Sequence, residues 1–537
     1  MESFIHYAQF DEFWKNLEPL TPYGKDLKQQ RAIYVKAQDL EHIWAGSDCA
    51  AELLENSSVN LSRIRYFLKR LPRLRTETLP CYDEADIFEY KKFLANYHRL
   101  LDLLPEKQRL FFNLDYSSHD LEKLLNKGDQ YTDTFYVADA YSEDLAQTRG
   151  QIRDLDKRIS SSLRDQLDQI TAHFGWTFPG DFAVIAKSSA AQARENSPVL
   201  LEQLVILEPF DGERLLVRPR LSGISLALQE KRQELTNRER REEQTILEAI
   251  SEAINADLPQ ILHYLQSVSS LDMALARAKL VQRFRLQRPQ LSTSPQEPII
   301  VEEGRFIPCQ EQCERLRTDY IPLDWRLSKQ NAVLFGSNMG GKTIALKTLA
   351  FLQLCVQTGL YVPAQKMQTC LFQNFRYIGE GRLDTPQQGL SGFGYEISQF
   401  CEAYTLFDRP VLVLFDEFAR TTNSREAEAL ISAILQDISS KSAVRTVFSS
   451  HFHGIARQEH TEFFKMRGLK REAAARESNS LKTVSERLQH ISSLIDYRIQ
   501  PDPETLESSD ALTIAALLGT PAAITESAQN RLKTSAL

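Results

Sequence analysis

The sequence predicts a helical first half followed by an α/β domain on a mainly parallel sheet, which is the α + α/β class. Up to about residue 150, apolar residues recur at helical spacing, as in 87–97, and prolines and glycines separate the segments. From about residue 296 onward, short apolar runs typical of buried parallel strands stand next to helical segments. The second half is therefore the kind of fold that binds ligands at the carboxyl ends of its strands.

A glycine-rich loop between a strand and a helix is the most informative local pattern. The apolar run 332–335 precedes this loop, and a helical run over 344–352 follows it. Glycines let the backbone approach phosphate closely, and the N–H groups of the loop and of the helix N-terminus attract the anion. Lys342 is expected to bridge the β- and γ-phosphates, and Thr343 to bind Mg²⁺. The expected nucleotide-binding residues are Gly336, Ser337, Asn338, Met339, Gly340, Gly341, Lys342, Thr343 and Ile344.

Two further predicted strands end in polar side chains that suit nucleotide hydrolysis. The run 410–415 leads into Asp416 and Glu417, and the run 443–448 leads through two serines into His451. Asp416 is expected to hold Mg²⁺ through water, and Glu417 to orient or deprotonate the attacking water. His451, at the same expected edge of the sheet, would sense the γ-phosphate or this water. The alternatives are a solvated acidic turn and a histidine with an ordinary polar role.

A Ser-Gly turn opens a later helix. Ser391 and Gly392 precede a helical stretch that begins near Tyr395. Such a turn is a second anion site, and it resembles the signature loop of ABC-type ATPases, which completes a partner's nucleotide site across a dimer interface. The alternative is that Ser391 is a plain N-cap.

Taken together, these motifs resemble those of the MutS family of ATPases. The phosphate loop over 338–343, the segment 391–396, the Asp416-Glu417 pair and the switch segment 450–452 are each similar to a family motif. Further segments that resemble the family are 303–305 at the start of the ATPase domain, 320–322, 359–364 as the next strand, 508–521 as the closing helix pair, and 21–27 and 271–278 in the helical core.

The resemblance implies a homodimeric ATPase that binds ATP and Mg²⁺. Tyr320 would stack on adenine, and Ser391 would complete the partner's site. The implied architecture is a helical core with long lever helices and a small β-rich clamp, followed by an ABC-like P-loop ATPase domain. The implied division places the first part of the core at 1–150, the levers and clamp at 151–254, the return of the core at 255–295 and the ATPase domain at 296–537.

Two positions depart from the family pattern. Thr421 follows Arg420 where the family has a glycine, and Gly392 stands at the second position of the family's Ser-Thr-Phe segment. A threonine is disfavoured where the backbone needs a positive φ angle. Both segments lie at the family's dimer interface, so the departures concern communication between subunits rather than nucleotide chemistry.

The expected clamp lies between two long charged helices, predicted over 143–173 and 224–254. Short strands are expected near 182–186, 204–207 and 213–218, with turns near 196 and 211–212. By resemblance this tip contacts DNA, although a solvated basic face is the favoured interpretation. The candidate DNA contacts are Lys187, Arg214, Arg218 and Arg220.

Composition limits the remaining possibilities. The chain has a formal net charge of −8, so any DNA contact requires a local basic patch. The seven cysteines are scattered and fit a reducing cytoplasm, and neither a signal peptide nor a membrane span is expected. A polar linker is expected over 293–298 and an exposed insertion over 465–482. No mismatch-reading domain is expected before the core, and no nuclease module after residue 537.

Three functions remain open. The first is an ATP-dependent clamp that switches state on structured or damaged DNA. The second is a MutS-like ATPase that remodels or reactivates a protein client, such as an adenosylcobalamin-dependent aminomutase. The third is a nucleotide-binding scaffold with little turnover, which an intact Glu417 disfavours.

Overall fold

The computed structural model describes residues 1–56, 60–128, 134–294, 296–336, 340–379, 392–470, 491, 493–502 and 511–535. Two compact units share these residues. One comprises Met1–Ser62, Pro105–Asn113 and Ser267–Leu537, and the other comprises Arg63–Leu104 and Leu114–Gln266. Across these ranges, no helix combines the length and the apolar character that crossing a membrane requires.

The described helices are α1 (Glu2–Tyr7), α2 (Phe10–Trp14), α3 (Pro22–Gln30), α4 (Ala37–Glu55), α5 (Leu61–Arg70), α6 (Glu84–Leu101), α7 (Glu106–Phe111), α8 (His119–Leu125), α9 (Glu143–Phe174), α10 (Lys187–Asn196), α11 (Pro198–Leu204), α12 (Gly223–Phe284), α13 (Ile307–Leu316), α14 (Lys342–Gln357), α15 (Gly392–Tyr404), α16 (Ser424–Ile438), α17 (Ala511–Leu517) and α18 (Ala522–Ser535). The described strands are β1 (Ala183–Ala186), β2 (Val205–Pro209), β3 (Arg214–Pro219), β4 (Gln290–Leu291), β5 (Ile299–Gly304), β6 (Leu323–Leu327), β7 (Asn331–Phe335), β8 (Lys366–Thr369), β9 (Asn374–Ile378), β10 (Val411–Asp416), β11 (Val444–Ser450), β12 (Thr461–Leu469) and β13 (Ile495–Pro501). This order confirms the predicted class, with a helical first half and an α/β second half.

The two predicted long helices are α9 and α12. The Ser142 side chain caps α9 by accepting from the Leu145 N–H, and α9 ends at Gly175 with φ of 71°. Helix α12 runs through residue 254 and on to Phe284, so the predicted end at 254 is wrong. Buried Ile254, Leu258 and Ile261 continue the helical spacing past that point, which outweighs the break expected at Pro259 within the helix.

The predicted β-rich tip is a small antiparallel sheet with the strand order β1-β3-β2. Its core is Val217, which is fully buried, with Val205 and Leu201 against it. Helices α10 and α11 occupy the stretch where only a turn near residue 196 is expected. The sheet is thus covered by short helices that the alternating strand pattern does not predict.

Three of the four basic candidates on this tip already have partners. Arg214 Nε lies 2.7 Å from Asp211 Oδ2, and Arg218 Nε lies 3.7 Å from Glu208 Oε2. Lys187 Nζ donates to the Gly212 carbonyl oxygen at 2.7 Å. These exposed pairs favour a solvated face, because a DNA phosphate would have to compete with them.

The α/β part of the first unit is organised by a six-stranded sheet within the described residues, in the order β13-β12-β7-β11-β10-β9. All neighbouring strands are parallel except β12 and β13. Strands β7 and β10 are fully buried along their apolar residues, as expected for parallel strands covered on both faces. A second sheet in the described part has the order β4-β8-β5-β6.

Two sequence predictions in this region are corrected. The stretch 359–364 is not a strand, because Gly359 has φ of 77° and Pro363 lacks a donor, and only Val362 bridges to Gln287. The next strand, β8, begins at Lys366. The residues from Lys465 to Leu469 belong to the largely buried strand β12 rather than to an exposed insertion. The remainder of that predicted insertion, 471–482, lies outside the described residues.

A buried carboxylate joins the two core segments singled out in the sequence. Asp272 is 1% exposed, and its Oδ2 accepts from the Thr21 N–H at 2.7 Å and from the Thr21 hydroxyl at 2.8 Å. Thr21 in turn caps α3 by accepting from the Gly24 N–H. A Cβ atom at Gly24 would lie 2.4 Å from Asp272 Oδ2, so this position has no room for a side chain.

Gly24→Ala is expected to lower the free energy of unfolding of this unit by about 2 kcal/mol, as overpacking does. Gly150→Ala, in a helix of the other unit, is the control for a glycine-to-alanine change without a clash, because the nearest atom to a Cβ there is Arg153 Nη2 at 3.9 Å. Thermal denaturation followed by circular dichroism measures both changes. A Gly24→Ala protein as stable as the native one would contradict the predicted clash.

Candidate functional site

Parallel strand register assembles the site at one edge of the large sheet. Asp416 at the end of β10 is paired with Ser449 of β11, and Ser450 is paired with Phe335 at the end of β7. The loop that follows β7, the acidic pair after β10 and His451 after β11 therefore leave the sheet at the same edge. The sequence predicts this convergence from three separate strands, each followed by polar side chains.

The phosphate loop is described at its two ends. Gly341 begins α14 with φ of 89°, and an added Cβ would lie 2.8 Å from Tyr497 Cδ1, so only glycine suits this position. Lys342 Nζ donates to the Gly336 carbonyl oxygen at 2.7 Å, inside the loop. Its side chain is only 2% exposed, and burial lowers the pKa of its ammonium while Glu417 opposes that shift. Ser337, Asn338 and Met339 lie outside the described residues.

Three hydroxyl groups surround the Asp416 carboxylate. The Ser449 hydroxyl donates to Oδ1 at 2.6 Å, and the Thr343 hydroxyl to the same oxygen at 3.1 Å. The third is the Tyr7 hydroxyl, 3.3 Å from Oδ2. Burial raises the pKa of Asp416, and the hydrogen bonds from Ser449 and Thr343 oppose the rise. Carboxylate and hydroxyl oxygens are hard donors, so Thr343 and Asp416 together fit Mg²⁺.

Glu417 stands in a turn with an unusual backbone. Its φ angle is 52°, and that of Ala419 is 62°, both in the left-handed region. The carboxylate lies 3.2 Å from Lys342 Nζ and 3.2 Å from Arg420 Nη1. The buried Glu396 fixes the turn, because its Oε2 accepts from the Ala419 N–H at 2.7 Å. The expected general base is thus held beside Lys342.

His451 lies beside this carboxylate with an unused ring nitrogen. Within the described residues, its buried Nδ1 has no hydrogen-bond partner. The ring packs on Phe452 with centroids 4.2 Å apart. Burial lowers the pKa of His451, so the imidazole is neutral near pH 7. A neutral ring can accept or donate a hydrogen bond, which suits contact with water or phosphate.

A cavity of about 870 Å³ opens beside the phosphate loop. Its walls include the first turn of α14 with Lys342 and Thr343, the Glu417 side chain, Tyr497, and the residues after α13 up to Leu323. Tyr320 lines the same cavity, and its hydroxyl accepts from the Phe306 N–H at 2.7 Å. Burial raises the pKa of Tyr320 to about 12. The volume falls within the range of nucleotide-sized ligand pockets.

The structure brings together most of the predicted site residues. Residues at or lining the site are Gly336, Gly341, Lys342, Thr343, Ile344, Tyr320, Asp416, Glu417 and His451. Ser391 lies outside the described residues, and Gly392 after it begins α15. Ser449, Glu396 and Tyr7 belong to the site but are not among the predicted residues. Ser449 directly follows the predicted strand 443–448, which is a usable signal, whereas Tyr7 has no local signal.

Comparison with known proteins agrees with these motifs. Residues 332–535 match the family model described as MutS domain V. The chain is 26% identical to "Endonuclease MutS2" of Brevibacillus brevis over 80% of its own length and 54% of the relative. It is 27% identical to "Endonuclease MutS2" of Bacillus cytotoxicus over 63% of its own length and 41% of that relative. It is 30% identical to "DNA mismatch repair protein MutS" of Geobacillus thermodenitrificans over 39% of its own length and 23% of that relative. The chain thus spans about half or less of these relatives.

Proposed function

We propose, from the premise that this chain belongs to the MutS family, that it hydrolyses ATP to switch the state of a clamp on structured or damaged DNA. The observation that best supports hydrolysis is the convergence of Lys342, Thr343, Asp416 and Glu417 beside one cavity. The domain division given by the resemblance, with the ATPase domain at 296–537, is part of this proposal.

Each side chain has a role that follows from its position. Lys342 exchanges its contacts with Glu417 and the Gly336 carbonyl for the β- and γ-phosphates when ATP enters. Thr343 and Asp416 hold Mg²⁺, which when bound neutralises charge on the phosphates. Once Lys342 has turned away, Glu417 Oε1 is available to orient water and accept its proton. His451, through its unused Nδ1, contacts the water or the γ-phosphate.

The proposal includes a homodimer formed through the ATPase region. Ser391 of each subunit would complete the other's nucleotide site, as the family resemblance implies. Supporting this arrangement, the helix that follows Ser391 contains Glu396, whose carboxylate fixes the turn after Glu417. ATP would then bind more tightly to the dimer in which Ser391 of the partner subunit completes the site. Because a ligand shifts an equilibrium by its differential affinity for two states, ATP would favour that subunit contact.

DNA binding is tested by titrating labelled branched and duplex DNA across a salt series. If the clamp contacts phosphates, the logarithm of affinity falls with the logarithm of salt concentration, with a slope of about −0.9 per contact. Replacing Arg214, Arg218 and Arg220 by glutamine is expected to weaken binding and to reduce that slope by about one for each arginine that binds a phosphate. Arg99→Gln, on an exposed face of α6, is the matched control for removal of charge.

The ATPase rate, measured with and without these DNAs, separates the two candidate functions. Stimulation by DNA together with salt-sensitive binding supports the clamp. A steady ATPase rate with no DNA binding at low salt would contradict it and favour the alternative, remodelling of a protein client. The net charge of −8 and the ion pairs of the tip are the observations that keep this alternative open.

A further inference from the structure

Helix α1 packs against the back of the candidate metal site through two aromatic side chains. Phe4 and Tyr7 are one helical turn apart, so they point to the same side of α1. They meet Phe375 and Tyr377, which alternate along β9 and therefore share one face of the sheet. The ring centroids are 5.0 Å apart for Phe4 and Phe375 and 4.0 Å apart for Tyr7 and Tyr377.

This packing places the Tyr7 hydroxyl among the candidate metal ligands. The hydroxyl lies 3.3 Å from Asp416 Oδ2 and 3.4 Å from the Thr343 carbonyl oxygen. Lys347, one turn beyond Thr343 on α14, lies with its Nζ 5.5 Å from the Tyr7 ring centroid. Tyr7 is 7% exposed, and its hydroxyl faces two oxygen atoms that can only accept, so it acts as a donor.

The hydrogen bonds of Asp416 are divided between its two oxygens. Oδ1 accepts from Thr343 and Ser449, whereas Oδ2 accepts from Tyr7, its single donor within the described part of the chain. Hydrogen bonds at both oxygens restrain rotation of the carboxylate about its Cβ–Cγ bond. Without the Tyr7 hydroxyl, the half-buried Oδ2 loses its donor within the described residues, and this restraint is lost.

We propose that Tyr7 is a positioning residue for the Mg²⁺ site, acting through the orientation of Asp416. The inference rests on the proposed ATPase function, because it assumes that Thr343 and Asp416 hold Mg²⁺ with the nucleotide. It adds a residue of the first helix, 409 positions before Asp416 in the chain, to the machinery of the site. Residues that orient a metal ligand in this way affect metal affinity without contacting the metal.

The test is the Mg²⁺ dependence of nucleotide binding, measured with a fluorescent non-hydrolysable ATP analogue. Tyr7→Phe keeps the ring on Tyr377 and removes only the hydroxyl. We expect the half-saturating Mg²⁺ concentration to rise about tenfold, while affinity for the analogue in EDTA stays unchanged. Tyr404→Phe is the matched control, because that hydroxyl, on a ring 40% exposed at the end of α15, contacts no described metal-site residue. It should leave both values unchanged.

Phe4→Leu separates orientation from packing, because it weakens the packing of α1 on Phe375 and keeps the Tyr7 hydroxyl that donates to Asp416. An equal rise in the half-saturating Mg²⁺ concentration in Phe4→Leu and Tyr7→Phe would overturn the proposal in favour of a packing effect. A half-saturating Mg²⁺ concentration in Tyr7→Phe equal to that of the native protein would overturn the proposal directly. If the native protein itself bound no nucleotide, the proposed ATPase function would fail, and this inference with it.

Discussion

Replacing Glu417 with glutamine is expected to lower the ATPase kcat by about a hundredfold or more, because the amide cannot accept a proton from water. ATP binding should persist, since the substitution removes no phosphate contact and frees Lys342 from an ion pair of 3.2 Å. Steady-state ATPase assays and equilibrium binding of a fluorescent ATP analogue measure the two effects separately.

The matched control for Glu417→Gln is Glu302→Gln. Glu302 forms a surface pair with Lys366 at 3.4 Å, and its side chain is 46% exposed, so removing its charge should leave kcat unchanged. Hydrolysis at the native rate by Glu417→Gln would show that another group activates the water. His451, with its unused Nδ1, would then be the next candidate to replace.

The second large effect is expected for Lys342→Ala, which should weaken nucleotide binding by about a hundredfold, the usual order for losing a buried, hydrogen-bonded charge. The Lys342 side chain is 2% exposed, so solvent screens the attraction between its ammonium and the phosphates only weakly. The truncation also removes a cationic partner of Glu417. Titration with the fluorescent analogue measures the loss.

Lys366→Ala is the matched control for Lys342→Ala, since it removes the same charge from the surface pair with Glu302. It should bind the analogue as the native protein does. Native affinity in Lys342→Ala would mean that the loop backbone alone holds the phosphates, and that the role assigned to the lysine is wrong.

The parts of the site predicted from sequence are those with a local pattern. The runs 332–335 and 410–415 lie in buried strands because each is apolar throughout. The run 443–448 also lies in a buried strand, although it contains Arg445 and Thr446, whose side chains donate to the Lys329 carbonyl oxygen and to Asn331 Oδ1. The polar ends of the three strands share a sheet edge by topology. Tyr7 could not be predicted, because nothing near it in sequence marks a partner 409 positions away. The continuation of α12 beyond residue 254 does not follow from the charged pattern of 224–254, because past that point the helix is set by buried apolar residues such as Leu258 and Ile261.

The turn after Asp416 has a thermodynamic consequence. Two non-glycine residues, Glu417 and Ala419, have left-handed backbones, and such residues cost about 1–3 kcal/mol each. The hydrogen bond from the Ala419 N–H to Glu396 on α15 offsets part of this free energy. The backbone conformation of Glu417 therefore depends on the contact with α15 and is not set by the residues of the turn alone. We expect withdrawal of α15 to let the turn relax and to move Glu417, so that the position of one helix would control the proposed general base.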